Sequence, residues 1–158
     1  MTTKEAAGRP DIAKLSGLEF LQAMIDGKLG APTISQTLGF RLVEVSPGEA
    51  VFEIAVGPHL LNPLGSVHGG VALTLIDSAA GCAVHTMLPA GTGYATIETK
   101  VNFVRPISAD SGLLRATGRV LSFGRQIATA EAQLFSAEGR LVAHGTSTLF
   151  ITPPRATD

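Results

Sequence analysis

Asp77 is a carboxylate set into an otherwise apolar helix, and that placement is the first sign of chemistry in this chain. The run from Asn62 to Asp77 reads N-P-L-G-S-V-H-G-G-V-A-L-T-L-I-D. Between Val71 and Val84 only Thr74, Asp77, Ser78 and Gly81 interrupt Val, Ala, Leu, Ile and Cys, so most faces of this helix must be covered. A carboxylate in such surroundings either has a partner or works at a crevice. His68, Gly69 and Gly70 open the helix. Paired glycines at a loop-to-helix junction admit another group close to the backbone, and the free N–H groups there carry the positive end of the helix dipole. An oxyanion suits that position, although tight packing alone would also account for a glycine pair. Gly70 and Asp77 share a helix face at about 100° per residue, yet stand roughly 10 Å apart along the axis. One chain does not easily bring both to one atom. Two copies of the helix running antiparallel across a two-fold axis would, which makes a dimer the expected active unit.

The elements that must hold these groups follow from periodicity. Ile12, Leu15, Leu18, Leu21 and Ile25 have helical spacing, ended by Gly27, Gly30 and Pro32. Residues 40–45 and 50–56 read as strands joined by Ser46-Pro47-Gly48-Glu49, a turn signal that makes them a hairpin. Beyond the central helix, Pro89-Ala90-Gly91-Thr92-Gly93 is a turn cluster, and residues 95–104, 112–123, 125–136 and 140–151 read as strands. A sheet of about six strands can bury one apolar helix only by curling around it, so the expected class is α+β, an antiparallel sheet wrapped on a long helix. The expected division is an N-terminal extension with a short helix over residues 1–30, one domain over 31–152, and a loose tail over 153–158. Residues 1–10 are also expected to be loose.

Composition narrows the partners. With 16% charged residues and a formal net charge of -1, the chain offers no electrostatic footprint for nucleic acid or an anionic membrane. Asp77 and His85 break the longest apolar run before it reaches the roughly 18 residues of a membrane span. The single Cys82 forms no internal disulfide, and the N-terminus lacks a signal-peptide pattern, so a cytoplasmic location is expected. Cys82 and His85 are one candidate ligand pair, while His59, His68 and His144 fall on separate elements; no metal site is expected. Cys82 lies in too apolar a helix to be a good nucleophile, and Ser66 and Ser78 have no nucleophile-elbow context.

Taken together, Asn62, Gly65, His68-Gly69-Gly70, the spacing to Asp77, and Thr96-Ile97-Glu98-Thr99-Lys100-Val101-Asn102-Phe103-Val104-Arg105-Pro106 closely resemble the hotdog-fold acyl-CoA thioesterases of the phenylacetate-pathway type, within the 4-hydroxybenzoyl-CoA thioesterase superfamily. The match covers roughly residues 38–150. The resemblance implies a hotdog fold paired into dimers and usually tetramers that hydrolyse thioesters of coenzyme A, with no cofactor beyond the coenzyme A of the substrate. Carried over by position, Asp77 is the carboxylate that activates water or attacks the thioester. Gly70, with Gly69 nearby, presents backbone N–H to the carbonyl. Asn62 holds water or orients the carboxylate, His68 shapes the loop, and Thr96 places a hydroxyl near the acid. Arg105 and Arg125 are candidates for the coenzyme A phosphates, since the guanidinium fork suits phosphate.

Two other classes share the fold. A non-catalytic acyl-CoA sensor would bind without turnover, but the retained Asp77 argues against it, as does the lack of a preceding basic helix-turn-helix. A dehydratase or hydratase is suggested superficially by Asn62-Pro63, yet Leu60 and Leu61 occupy the region where its Asp belongs. The acyl group is expected to be aromatic or short-to-medium in chain length.

Overall fold

The computed structural model describes residues 11–153; the end segments expected to be loose fall outside them apart from Pro153. Three α-helices occur, α1 Gly17–Ile25, α2 Thr33–Leu38 and α3 Gly69–His85. Six strands accompany them: β1 Phe40–Ser46, β2 Glu49–Ala55, β3 Gly93–Phe103, β4 Leu113–Phe123, β5 Ile127–Phe135 and β6 Leu141–Thr152. They form one antiparallel sheet in the order β1-β2-β4-β5-β6-β3, curled around α3 as the sequence predicts. The expected strands match to within two residues at each end.

Small side chains let the sheet close so tightly. Ala79, Ala80 and Ala83 of α3 and Ala116, Ala128, Ala130, Ala132 and Ala143 of the sheet are all essentially inaccessible. A Cβ on Gly118 would collide with the carbonyl of Ala79, whereas one on Gly145 would collide first with the Lys100 carbonyl of β3. At Gly118 the strand backbone rides directly on the helix. Larger residues, among them Ile54, Leu75, Ile76, Leu114, Leu134 and Leu149, fill the remaining space.

The N-terminal helix departs from its expected bounds. Ile12–Lys14 is a separate 3-10 turn, and α1 restarts at Gly17 because Ser16 and Glu19 form a capping box. The Ser16 N–H donates to Glu19 Oε2 at 2.8 Å and the Glu19 N–H to Ser16 Oγ at 3.3 Å. Helix α2, not expected from the sequence, runs from Pro32 at its N-cap to Gly39, whose φ of 81° closes it in the left-handed region. Helix α1 lies on β1 and the end of α3, and α2 packs mainly on β1. No helix among the described residues is long and apolar enough to cross a membrane.

Candidate active site

Thr74, Asp77, Ser78 and Gly81 recur at helical spacing and form a polar, small-residue stripe along α3. Asp77 is half-buried on this stripe. Its Oδ1 accepts a hydrogen bond from Thr99 Oγ1 of β3 at 3.0 Å, and Thr99 Oγ1 in turn lies 2.9 Å from Ser147 Oγ on β6. Ser147, 1% exposed, also donates to the Glu98 carbonyl at 3.1 Å. When the Thr99 hydrogen points to the carboxylate, its oxygen accepts from Ser147 only if Ser147 turns its single hydrogen away from the Glu98 carbonyl. One carboxylate oxygen is thus held while the other faces open space.

That space is a cavity of about 350 Å³ beside Asp77. Its polar wall includes Asp77, Ser78, Thr96, Ser35 and Arg41. The apolar walls include Phe40 and Phe52 of the sheet and Phe20, Met24 and Ile34 of α1 and α2. Tyr94 also faces it, packed so closely over the helix that a Cβ at Gly81 would meet its hydroxyl at 3.0 Å. Burial, then the neighbouring Cys82 and Asp77, push the Tyr94 phenol well above its ordinary range, so it stays protonated. The Cys82 thiol, on the same cavity, is pushed up to about 12 by burial, which leaves it a poor nucleophile at neutral pH.

Thr96 lines this cavity as the sequence suggests, yet the hydroxyl bonded to the acid is that of Thr99. A β-bulge is the reason. Thr96 pairs with Leu149 and Glu98 with Thr148, so Ile97 is an extra residue on β3, and it points out at 60% exposure. The insertion shifts the alternation, and Thr96 and Thr99 come to face the same side.

The other candidates gather at the start of α3. Asn62 Oδ1 accepts from the N–H of Leu64 at 2.9 Å and of Ser66 at 3.2 Å, and the turn closes through Gly65 with φ 80°. Asn62 therefore shapes the loop that delivers His68. His68 is the N-cap of α3, and its Nδ1 accepts the Gly70 N–H at 2.9 Å, so the Gly70 donor is engaged. The Gly69 N–H has no acceptor among the described residues. A second cavity of about 320 Å³ is lined by Asn62, Gly69, Phe103 and Arg105.

No residue is common to the two cavities: Asp77 and Thr96 face one, Asn62 and Gly69 the other. The two groups of candidate residues therefore lie apart within one chain. The arginines are also apart. Arg105 donates from Nη1 to the Leu141 carbonyl at 2.7 Å beside the Asn62 cavity, whereas Arg125 borders an apolar cavity with Leu88, Pro89 and Phe123 near the far end of α3.

Comparison with known proteins identifies the family and the fold. The model of the thioesterase superfamily matches residues 64–143. A Halobacterium salinarum protein named as a candidate esterase is 37% identical over 60% of this chain, a stretch spanning 64% of that protein's own length. Human acyl-coenzyme A thioesterase 13 is 26% identical over 81% of the chain and 91% of its own length. Among solved structures, a phenylacetic acid degradation-related protein of Ralstonia eutropha, described as a candidate thioesterase, superposes with a TM-score of 0.74 at 30% identity, covering 82% of this chain and 98% of its own.

Proposed function

As the chain belongs to the thioesterase superfamily, we propose that it hydrolyses the thioester of an aromatic or short-to-medium-chain acyl-CoA, yielding the free acid and coenzyme A. The observation that carries this reading is the Asp77 carboxylate, fixed through one oxygen by Thr99 and bordering a partly open, largely apolar cavity.

In the general-base route Asp77 takes a proton from water as the water oxygen bonds to the thioester carbon. The carbonyl becomes an oxyanion held by backbone N–H at the start of α3. Collapse breaks the carbon–sulfur bond, and the departing thiolate takes the proton from Asp77. The alternative is attack by Asp77 itself, which breaks the carbon–sulfur bond, expels the thiolate and leaves a mixed anhydride; water then opens the anhydride, and the proton it releases goes to the thiolate. Backbone donors aimed at such an oxyanion are commonly worth about 10²- to 10³-fold in rate. Because His68 already engages the Gly70 N–H, the Gly69 N–H is the more available donor, and Gly70 joins when His68 turns aside. Neither route calls for a metal or redox cofactor.

The two half-sites of the chain motivate assembly. A two-fold axis that sets two α3 helices antiparallel brings Asp77 and Thr96 of one copy to Gly69, Gly70, His68 and Asn62 of the other, giving two equivalent sites per dimer. Pairing of two such dimers into a tetramer is the form we expect in the cytoplasm. Arg105 and Arg125 stand at opposite ends of α3, so the same axis would draw the Arg105 of one copy toward the Arg125 of its partner, around the phosphates of coenzyme A.

Thiol release from a panel of aryl and straight-chain acyl-CoAs, with native protein and Asp77→Ala compared at matched oligomeric state, tests the reading. Turnover lost in Asp77→Ala with assembly intact is the expected result. Equal activity in both would remove Asp77 from the mechanism, and binding without turnover in either would favour the non-catalytic sensor.

A further inference from the structure

Three close oxygen–oxygen contacts run in line behind the acid. Asp77 Oδ1 lies 3.0 Å from Thr99 Oγ1, Thr99 Oγ1 lies 2.9 Å from Ser147 Oγ, and Ser147 Oγ lies 3.1 Å from the Glu98 carbonyl. Thr99 and Ser147 are directly opposed on β3 and β6, and Ser147 is 1% exposed. On its other side Ser147 pairs with Ala130 of β5, whose side chain offers no hydrogen bond. The line ends on a backbone carbonyl beside Ile97, the extra residue of the bulge.

Each hydroxyl carries one hydrogen, so two hydrogens serve three contacts. When Asp77 is the carboxylate, Thr99 gives its hydrogen to Oδ1, and the hydrogen of Ser147 fills either the contact to Thr99 or the one to the Glu98 carbonyl. One contact stays without a hydrogen. When Oδ1 bears a proton the count closes: the acid donates to Thr99, Thr99 to Ser147, and Ser147 to the Glu98 carbonyl. An unfilled contact between buried oxygens is costly, whereas bonds in an unbroken chain strengthen one another. We propose that Ser147 is a positioning residue that acts on Asp77 through Thr99. It leaves the chain one hydrogen short for the carboxylate and complete for the acid, and so strengthens Asp77 as a proton acceptor, the property on which general-base hydrolysis draws. This rests on the thioesterase reading above and adds to it how the acid is tuned. The other titratable groups lining the cavity with Asp77 are Arg41 of β1, Tyr94 of β3 and Cys82 of α3, while α1 and α2 contribute none. Removing the Ser147 hydroxyl leaves all three in place.

The test is Ser147→Ala, made in the native protein and in a Thr99→Val background. In the first, Thr99 still donates to Asp77, but the acid form can no longer complete the chain. The acidic limb of the kcat/KM profile, which reports the free enzyme, is expected to move to lower pH. At neutral pH kcat is expected to fall roughly two- to tenfold, the scale of one net hydrogen bond, with KM unchanged. In the Thr99→Val background Ser147→Ala is expected to change neither, because Ser147 reaches the acid only through Thr99. An acidic limb that stays in place in Ser147→Ala overturns the proposal. So do equal losses of kcat with and without the Thr99 hydroxyl, which mark Ser147 as a packing residue; the thioesterase reading stands in both cases. If the native protein hydrolyses no acyl-CoA, that reading fails by itself, and infrared difference spectra decide the chain. The carboxylic-acid C=O band that Asp77→Asn removes is then expected to appear at lower pH in Ser147→Ala than in the native protein, and coincident titrations overturn the role of Ser147.

Discussion

Thr99 donates its hydroxyl hydrogen to Asp77 at 3.0 Å from the strand that runs along the edge of the sheet, and Ser147 on the neighbouring strand stands 2.9 Å behind it. The acid is therefore oriented by the Thr99 hydroxyl rather than by a charged partner. Replacing Thr99 with Val keeps the shape and removes the donor. The expected outcome is a fall in kcat of roughly 10- to 100-fold with little change in KM, since misplacing a reacting group by about 1 Å costs on that scale. Thr99→Ser should restore most of the rate. A Thr99→Val enzyme with native kcat would show that the hydroxyl does not hold the acid.

Gly118 tests the wrapping of the sheet. With the Ala79 carbonyl where its Cβ would go, Gly118→Ala forces strand and helix apart and is expected to cost about 1–3 kcal/mol, typical of an overfilled core. Denaturant unfolding of the two proteins measures it directly. A loss below a few tenths of a kcal/mol would mean that the close approach is easily relieved.

His85 provides a pH signature. Its ring lies between Phe20 at 5.4 Å and Tyr94 at 5.5 Å, and burial lowers its pKa from the ordinary 6.5. The folded state therefore binds a proton less readily than the unfolded chain. Its stabilising contribution is complete above pH 6.5 and is lost as pH falls from there through the lowered folded-state value. Melting temperature should drop on acidification through that window, and His85→Gln should flatten the drop. A profile identical in both proteins would assign the acid sensitivity to other groups.

Cys82 should resist alkylation. A thiol pushed up to about 12 has little thiolate near neutral pH, so iodoacetamide is expected to label native protein far more slowly than denatured protein. Rapid labelling in the native state would contradict the burial described for it.

The sequence made the six strands and the central helix legible because alternation and helical spacing both survive in a core built from Ala, Val, Leu and Ile. Asp77 stood out for the opposite reason, as a charge breaking an apolar pattern. Thr99 did not. Simple alternation separates it from Thr96, and only the extra residue Ile97 returns both to one face, which no local residue preference announces. Ser16 and Glu19 spell out the capping box that starts α1 at Gly17, but the run from Ile12 keeps helical spacing through the break and masks it. The contribution of α1 and α2 to the cavity was out of reach, since it depends on long-range docking of Phe20, Met24 and Ile34.

The contact of Gly118 with the backbone of Ala79 works as a mechanical index. A helix that met the sheet only through long, pliable side chains could slide or roll by a fraction of a turn at little cost. Here the strand backbone seats against one particular peptide of α3, two residues past Asp77, so the helix has a stop along its axis close to the acid. The location of the carboxylate is thereby set by the absence of a side chain on another strand, while its orientation is left to Thr99. Drift in the lining of the cavity, where α1 and α2 meet the acyl group, can proceed without disturbing that alignment.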